Sequence, residues 1–180
     1  MLRKISITLV LLLLVGCSNL PTKDVSVTSE ERSLMTKIND GKIDEAKEQL
    51  TQIGLTLEAK KLEDYQALIS KRDQEVKDLE KLINILKVAF SKNQIFIIER
   101  YTDMGIKNKM KLKELEKLDL SRGNIYTSAP TFNGDQANIL TVINFYDESL
   151  YLDIFFNKEK GKWKIKNFSE RGWNIAGGRN

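Results

Sequence analysis

Two hydrophobic periods divide this 180-residue chain. Ahead of both, a nearly unbroken apolar run fills residues 5–15, directly behind Arg3 and Lys4. From residue 29 to about 118, apolar residues recur every three to four positions, the spacing of one helix face. From about residue 124 they alternate, the spacing of one sheet face.

Thr28 and Glu31 have capping-box spacing, which predicts a helix from residue 29. Leu34 and Ile38 give it an apolar stripe. Asn39-Asp40-Gly41 stops it, with Gly41 suited to a left-handed cap. A second helix is predicted from about 42 to 53, with Ile43, Ala46, Leu50 and Ile53 on one face. The longest period follows. Leu55, Leu62, Ile69, Val76, Ile83 and Phe90 recur every seven residues, with Tyr65, Leu79 and Leu86 between them. Neither Pro nor Gly occurs from residue 55 through 104. This predicts a long heptad-patterned helix that either pairs with a second copy or packs on its own domain. Glu58 and Arg72 interrupt the second row. The wholly polar stretch Ser70-Lys71-Arg72-Asp73-Gln74 is a candidate break, with Ser70 as a new cap. Shorter helices are predicted over 93–104, whose Ile95-Phe96-Ile97-Ile98 run also fits a strand, and over 111–118, the latter presenting Leu112, Leu115 and Leu118.

Residues 124–132 read as a strand confined to a sheet edge by Pro130. Asn133-Gly134 marks a hairpin turn. In the next strand Ile139, Ile143 and Phe145 share a face. In the third, Leu150, Leu152, Ile154 and Phe156 alternate. In the fourth, Trp163 and Ile165 alternate with Lys162, Lys164 and Lys166. Residues 173–180 read as a loose tail. Helices followed by a four-stranded antiparallel meander make an α+β fold, with helices covering one face of the sheet.

The apolar run of residues 5–15 is too short for the ~20 residues a membrane-spanning helix needs. With its positive start it has the form of a secretory signal. It ends in Leu14-Val15-Gly16-Cys17, and Cys17 is the only cysteine. These four residues resemble the lipobox of bacterial lipoproteins. The resemblance implies a mature chain that begins at a diacylglyceryl-modified Cys17 and is anchored in a lipid membrane. Ser18, rather than Asp, then implies the outer membrane where the host has one, and otherwise the outer face of the plasma membrane. The expected division is signal 1–16, lipidated tether 17–28, helical region 29–71, α+β domain 72–172 and tail 173–180.

Charge and composition narrow the chemistry. The formal net charge is +4. Removing Arg3 and Lys4 with the signal leaves 29 less 2 basic residues against 25 acidic ones, a net of +2. That is too weak a balance to imply a nucleic-acid partner. The chain has no histidine. His-based general bases, His-ligated zinc and Ser-His-Asp triads are excluded. With the one thiol assigned to lipid, a cysteine nucleophile and a disulfide framework are excluded too. No phosphate-binding glycine loop or calcium loop motif is present, and no cofactor is implied.

Two resemblances touch the fold. The stretch Ile38-Asn39-Asp40-Gly41-Lys42-Ile43-Asp44-Glu45-Ala46 is similar to part of one tetratricopeptide repeat, or is a simple helical hairpin. Ile98-Glu99-Arg100-Tyr101-Thr102-Asp103-Met104-Gly105, together with the closing hairpin through Gly161-Lys162-Trp163-Lys164-Ile165, resembles NTF2-like and cystatin-like domains. The early hairpin of a full NTF2-like domain is missing. Enzymes of that family use a carboxylate in an apolar cone, and Asp153 is the one candidate here. If Phe156 pairs with Trp163, Asp153 faces Lys166. Asp153 is then either a base in a dry pocket or half of a cross-strand ion pair. Tyr146, Tyr151, Phe155 and Phe168 are expected on the same face, as a ligand-binding strip or as core under a helix. Lys162, Lys164 and Lys166 meet either an anionic lipid or polysaccharide or solvent. The leading expectation is a membrane-anchored, non-catalytic binding or assembly module of the cell envelope with a protein partner. The alternatives are a small-ligand carrier or enzyme of NTF2-like type, and a surface adhesin that forms a homodimer through the long helix.

Overall fold

The computed structural model describes residues 27–175. The signal, Cys17 and the tether up to residue 26 lie outside the described residues. Helix α1 (Ser29–Asn39) starts with the predicted capping box: Thr28 Oγ1 accepts from Glu31 N at 3.2 Å, and Glu31 Oε2 accepts from Thr28 N at 2.9 Å. The other Glu31 oxygen accepts from Lys61 Nζ at 2.8 Å and from the Tyr65 hydroxyl at 3.3 Å. Gly41 turns the chain at φ +73°, a conformation that costs a residue with a side chain. Helix α2 (Ile43–Ile53) runs back. Leu34, Ile38, Ile43, Ala46 and Leu50 bury themselves against Ile69 of the next helix, making a small second core.

That next helix, α3 (Ala59–Ser91), has 33 residues and is about 50 Å long. It is unbroken through Ser70–Gln74, the candidate break. The reason is Arg72. Its side chain does not need the solvent that the polar run suggested, because it is buried among acceptors. Ile69, Leu79, Ile83, Leu86 and Phe90 of the heptad rows are buried within this chain's own two cores. Leu55 lies outside the helix, on a 3-10 turn, and is exposed.

Helices α4 (Ile95–Arg100) and α5 (Ile106–Glu116) follow, α5 placing Leu112 and Leu115 in the main core. The sheet then contains β1 (Asn124–Thr127), β2 (Thr131–Asn133), β3 (Gln136–Asn144), β4 (Glu148–Glu159) and β5 (Lys162–Ile175). Its order is β1-β3-β4-β5, with β2 also pairing β3, and every pairing is antiparallel. The expected first strand is two strands: Ser128 still bonds to Leu140 of β3, but Ala129-Pro130 breaks the ladder, and Pro130 has no N–H to donate. The sheet therefore has five strands rather than four. β5 also continues to Ile175, opposite Glu148, past the point at which the tail was expected to begin.

One face of the sheet carries Ala137, Ile139, Ile143, Leu150, Leu152, Ile154, Phe156, Trp163, Ile165 and Phe168 into the main core under α3, α4 and α5. The first half of β5 does not end the hydrogen bonding. Ile165 N donates to Tyr101 O at 2.7 Å, and Asp103 N donates to Ile165 O at 2.8 Å. Asn108 Nδ2 donates to Lys166 O at 2.9 Å.

Arg72 joins the two cores. Its Nε donates to Ile38 O at 3.1 Å, and Nη2 donates to Asn39 O at 2.5 Å and Gly134 O at 2.8 Å. Nη1 pairs with Glu75 at 2.9 Å, and the guanidinium lies 4.7 Å from the Phe132 ring centre. Glu75 also pairs with Lys158, and its carbonyl accepts from the Trp163 indole N–H at 2.8 Å. Burial raises the Glu75 pKa, but the bonds from Lys158 and Arg72 outweigh it and hold the carboxyl below its usual value. Replacing Arg72 with Met strands three carbonyls and leaves the Glu75 carboxylate with Lys158 alone, and should destabilise the fold by about 3–5 kcal/mol in urea titration. Arg72→Lys should recover little, because an ammonium cannot span the same acceptors.

Glu31 gives a second prediction. The Lys61 bond, then the Thr28 N–H, hold its carboxyl below the ordinary value against the opposing effect of burial. A depressed carboxylate pKa stabilises the fold above the ordinary value near 4.3 and loses that contribution as pH falls through the folded-state value. The Tm deficit of Glu31→Gln should therefore be largest at neutral pH and shrink below about pH 4.3.

Candidate functional site

No described helix covers the sheet face opposite α3, α4 and α5, and β4 runs through its middle. Tyr151, Asp153 and Phe155 alternate with the core residues Leu152, Ile154 and Phe156, so all three point to this face. The register places Leu140 and Ser169 on either side of Asp153, and Asn138 and Asn167 on either side of Phe155. Tyr126 of β1 faces Val142, which in turn faces Tyr151. The row of two tyrosines around a valine was not singled out in the sequence. Its signal is the alternation of Tyr126 with Ile125, which packs on the core.

Asp153 is 7% exposed. Its Oδ2 accepts from Arg171 Nε at 2.5 Å, while the buried Oδ1 has no hydrogen-bond partner among the described residues. The expected partner was Lys166, and this is corrected. The hairpin closes with Glu159 opposite Lys162, which already shifts the register by two residues from the assumed one, and an irregularity at Phe155/Phe156 adds one more before Asp153; a second irregularity lies beyond it, at Tyr151/Leu152. Phe156 faces Ile165 rather than Trp163, and Asp153 faces Ser169. Lys166 pairs instead with Asp103, at 2.8 Å on an exposed surface. The same bond holds the Asp103 carboxyl below its usual value.

The irregularities also divide the expected aromatic strip. Between Ile165, opposite Phe156, and Asn167, opposite Phe155, Lys166 is an extra residue. One extra residue reverses the alternation. Phe168 consequently falls on the core face and is buried, away from Tyr151 and Phe155. Arg171 is the extra residue of the second irregularity, between Glu170 and Gly172. Its signal in the sequence is Gly172, a glycine within the strand whose backbone here has φ +141°. Tyr146 lies in the β3–β4 turn and is 97% exposed, outside the row. Tyr151 is half-buried and Phe155 exposed, so these two, with Asp153, are the expected site residues that the fold brings together. Cys17 lies outside the described residues.

Among the described residues no cluster of three or more His, Cys, Asp or Glu side chains is placed to hold a metal ion. No described helix is long and apolar enough to cross a membrane. Chemically the Asp153 site is a half-satisfied ion pair on a polar and aromatic platform, with an Arg171 guanidinium partly open to solvent. Comparison with family models, with curated proteins and with solved structures gives no match.

Removing one member of the pair isolates the other. Arg171→Met leaves the Asp153 carboxylate buried without its donor and should cost about 1–3 kcal/mol of stability. Adding Asp153→Leu should restore part of that loss. A double-mutant cycle by chemical denaturation should give a coupling of about 0.5–3 kcal/mol.

Proposed function

We propose that this chain is a lipid-anchored protein of the bacterial cell envelope whose folded part is a non-catalytic binding or assembly module. The observation that carries the reading is the sidedness of the sheet. Its helix-covered face is filled by Ile139, Ile143, Ile154, Phe156 and Phe168. The only carboxylate singled out as a base, Asp153, stands on the other face and is engaged by Arg171. That arrangement favours a platform over a reaction chamber. The lack of histidine and the commitment of the one cysteine to the lipobox support it further.

In fold terms, a long helix lying on an antiparallel meander supports the cystatin-like side of the resemblance. The cone of NTF2-like enzymes needs an open cavity where this sheet has packed side chains. The open face offers Tyr126, Tyr151 and Phe155 among Asn138, Asn167 and Ser169, a surface able to stack on and hydrogen-bond with a partner in the envelope. The homodimer expected from the heptad rows is less favoured, since Ile69, Leu79, Ile83, Leu86 and Phe90 are occupied inside the chain.

Radioactive palmitate labelling of cells expressing the full chain tests the anchor. The wild-type protein should label and sediment with membranes. Cys17→Ala should lose the label, and label retained by that variant would refute the lipid-anchor reading.

A further inference from the structure

A groove of about 370 Å³ lies between α3, the end of α4 and the β4–β5 turn. Leu82, Tyr101 and Trp163 form its apolar floor, and Lys81, Arg100, Lys162 and Lys164 stand around it. Asp78 is the one acid among its lining residues, and it is already bonded by Lys81 at 3.3 Å and Gln74 at 2.9 Å. The side chains of Lys162 and Lys164 make no ion pair or hydrogen bond among the described residues, although Lys162 stands opposite Glu159 in the sheet and the Lys164 charge helps to hold the Asp103 carboxyl below its usual value. Among the described residues the Arg100 side chain meets the Phe96 ring alone, with its guanidinium 5.8 Å from the centroid.

Large apolar side chains project beside these cations. Ile85 is 39% exposed, Val88 51% and Phe96 55%. Ile85 lines the groove, Val88 follows it by one helical turn, and Phe96 is joined to the groove through Arg100. Exposed apolar residues next to unpaired cations are the composition of a surface that enters a lipid headgroup layer. Neither soluble packing nor an internal ion pair accounts for the combination.

We infer that this flank docks on an anionic lipid surface. Phe96, Val88 and Ile85 enter the boundary of the acyl chains, and Arg100, Lys162 and Lys164 meet the lipid phosphates. Charge complementarity selects the occupant, because the groove is lined by Lys81, Arg100, Lys162 and Lys164 against Asp78 alone, an excess that Glu99 and Glu159 at its margin reduce but do not cancel. The inference deepens the lipid-anchor reading and rests on it for the presence of a nearby membrane. The reach of the chain agrees. From Cys17 to Val27 the backbone spans at most about 36 Å when fully extended. The cap of α1 is bonded to α3 at Lys61 and Tyr65, and Ile85 lies about 30 Å further along that helix. A lipidated Cys17 and the docking flank can therefore touch the same bilayer.

Co-sedimentation of the full chain carrying Cys17→Ala tests this, using phosphatidylcholine vesicles and equimolar phosphatidylcholine–phosphatidylglycerol vesicles. The triple variant Arg100→Glu, Lys162→Glu, Lys164→Glu is compared in the same background, so that the leader residues affect both proteins alike. The unreversed chain should bind the anionic vesicles at least about tenfold more tightly than the triple variant, and high salt should close the gap. Phe96→Asp, an exposed change that leaves the cations in place, should also weaken anionic binding. Equal binding by the triple variant and its parent would overturn the inference. So would a groove that takes dodecanoate, displaceable by the triple change, while vesicle binding stays unchanged, since that result assigns the site to a free single-chain amphiphile. Palmitate labelling is separate. A labelled Cys17 with charge-independent vesicle binding sinks only the docking flank, and an unlabelled Cys17 with charge-dependent binding sinks only the anchor.

Discussion

One buried guanidinium holds the two halves of this molecule in place. Arg72 takes carbonyl oxygens from the end of α1 and from the β2–β3 turn, and a carboxylate from its own helix. Five N–H donors in a rigid fork make that possible where an ammonium would reach fewer acceptors. The surroundings close into a ring of contacts. The Arg72 guanidinium lies over Phe132, and Phe132 meets Trp163 edge-on with centroids 5.9 Å apart. Trp163 donates to the Glu75 carbonyl, and the Glu75 carboxylate returns to Arg72. Gly41 completes the fit, because a Cβ there would come within 2.6 Å of the Phe132 ring. A charge so buried is costly unless all its partners are present. The position of the hairpin is thus tied to the position of the sheet.

The second constraint is the count of residues along β5. Two irregular positions in its pairing with β4 decide which side chains enter the core and which reach the open face. Phe168 is core because of the first, and Arg171 is the unpaired residue of the second, two positions on from Ser169, which faces Asp153. A sheet face that reads as a simple alternation in sequence is really three short alternations in succession. The platform around Asp153 therefore exists only in the folded register.

Much of the architecture was legible. The capping box at Thr28, the left-handed Gly41 and the alternation through β3 and β4 each follow from local chemistry, and each is found. The heptad rows marked a real helix, with its apolar rows turned inward. Three things were not legible. Arg72 looked like a defect in the heptad pattern, since sequence spacing carries no sign of acceptors 33 to 62 residues away. The register of the bulges depends on the strand opposite. Pro130 was recognised as an edge residue, but the division of one strand into β1 and β2 needed the ladder itself. For the site, β4 alternation correctly grouped Tyr151, Asp153 and Phe155. The partner of Asp153 and the fate of Phe168 were lost with the register.

The edges of the sheet have a bearing on life in a crowd. The first half of β5 gives its backbone groups to the Tyr101–Asp103 segment and to Asn108, and the Phe168 carbonyl to Lys111. On the opposite side, β3 is covered by two short strands, β1 and β2, parted at Ala129-Pro130. Long, straight, unpaired strands invite neighbouring copies to zip together. By occupying one edge and fragmenting the other, the chain blunts that hazard with its own backbone and leaves its open face for encounters of another kind.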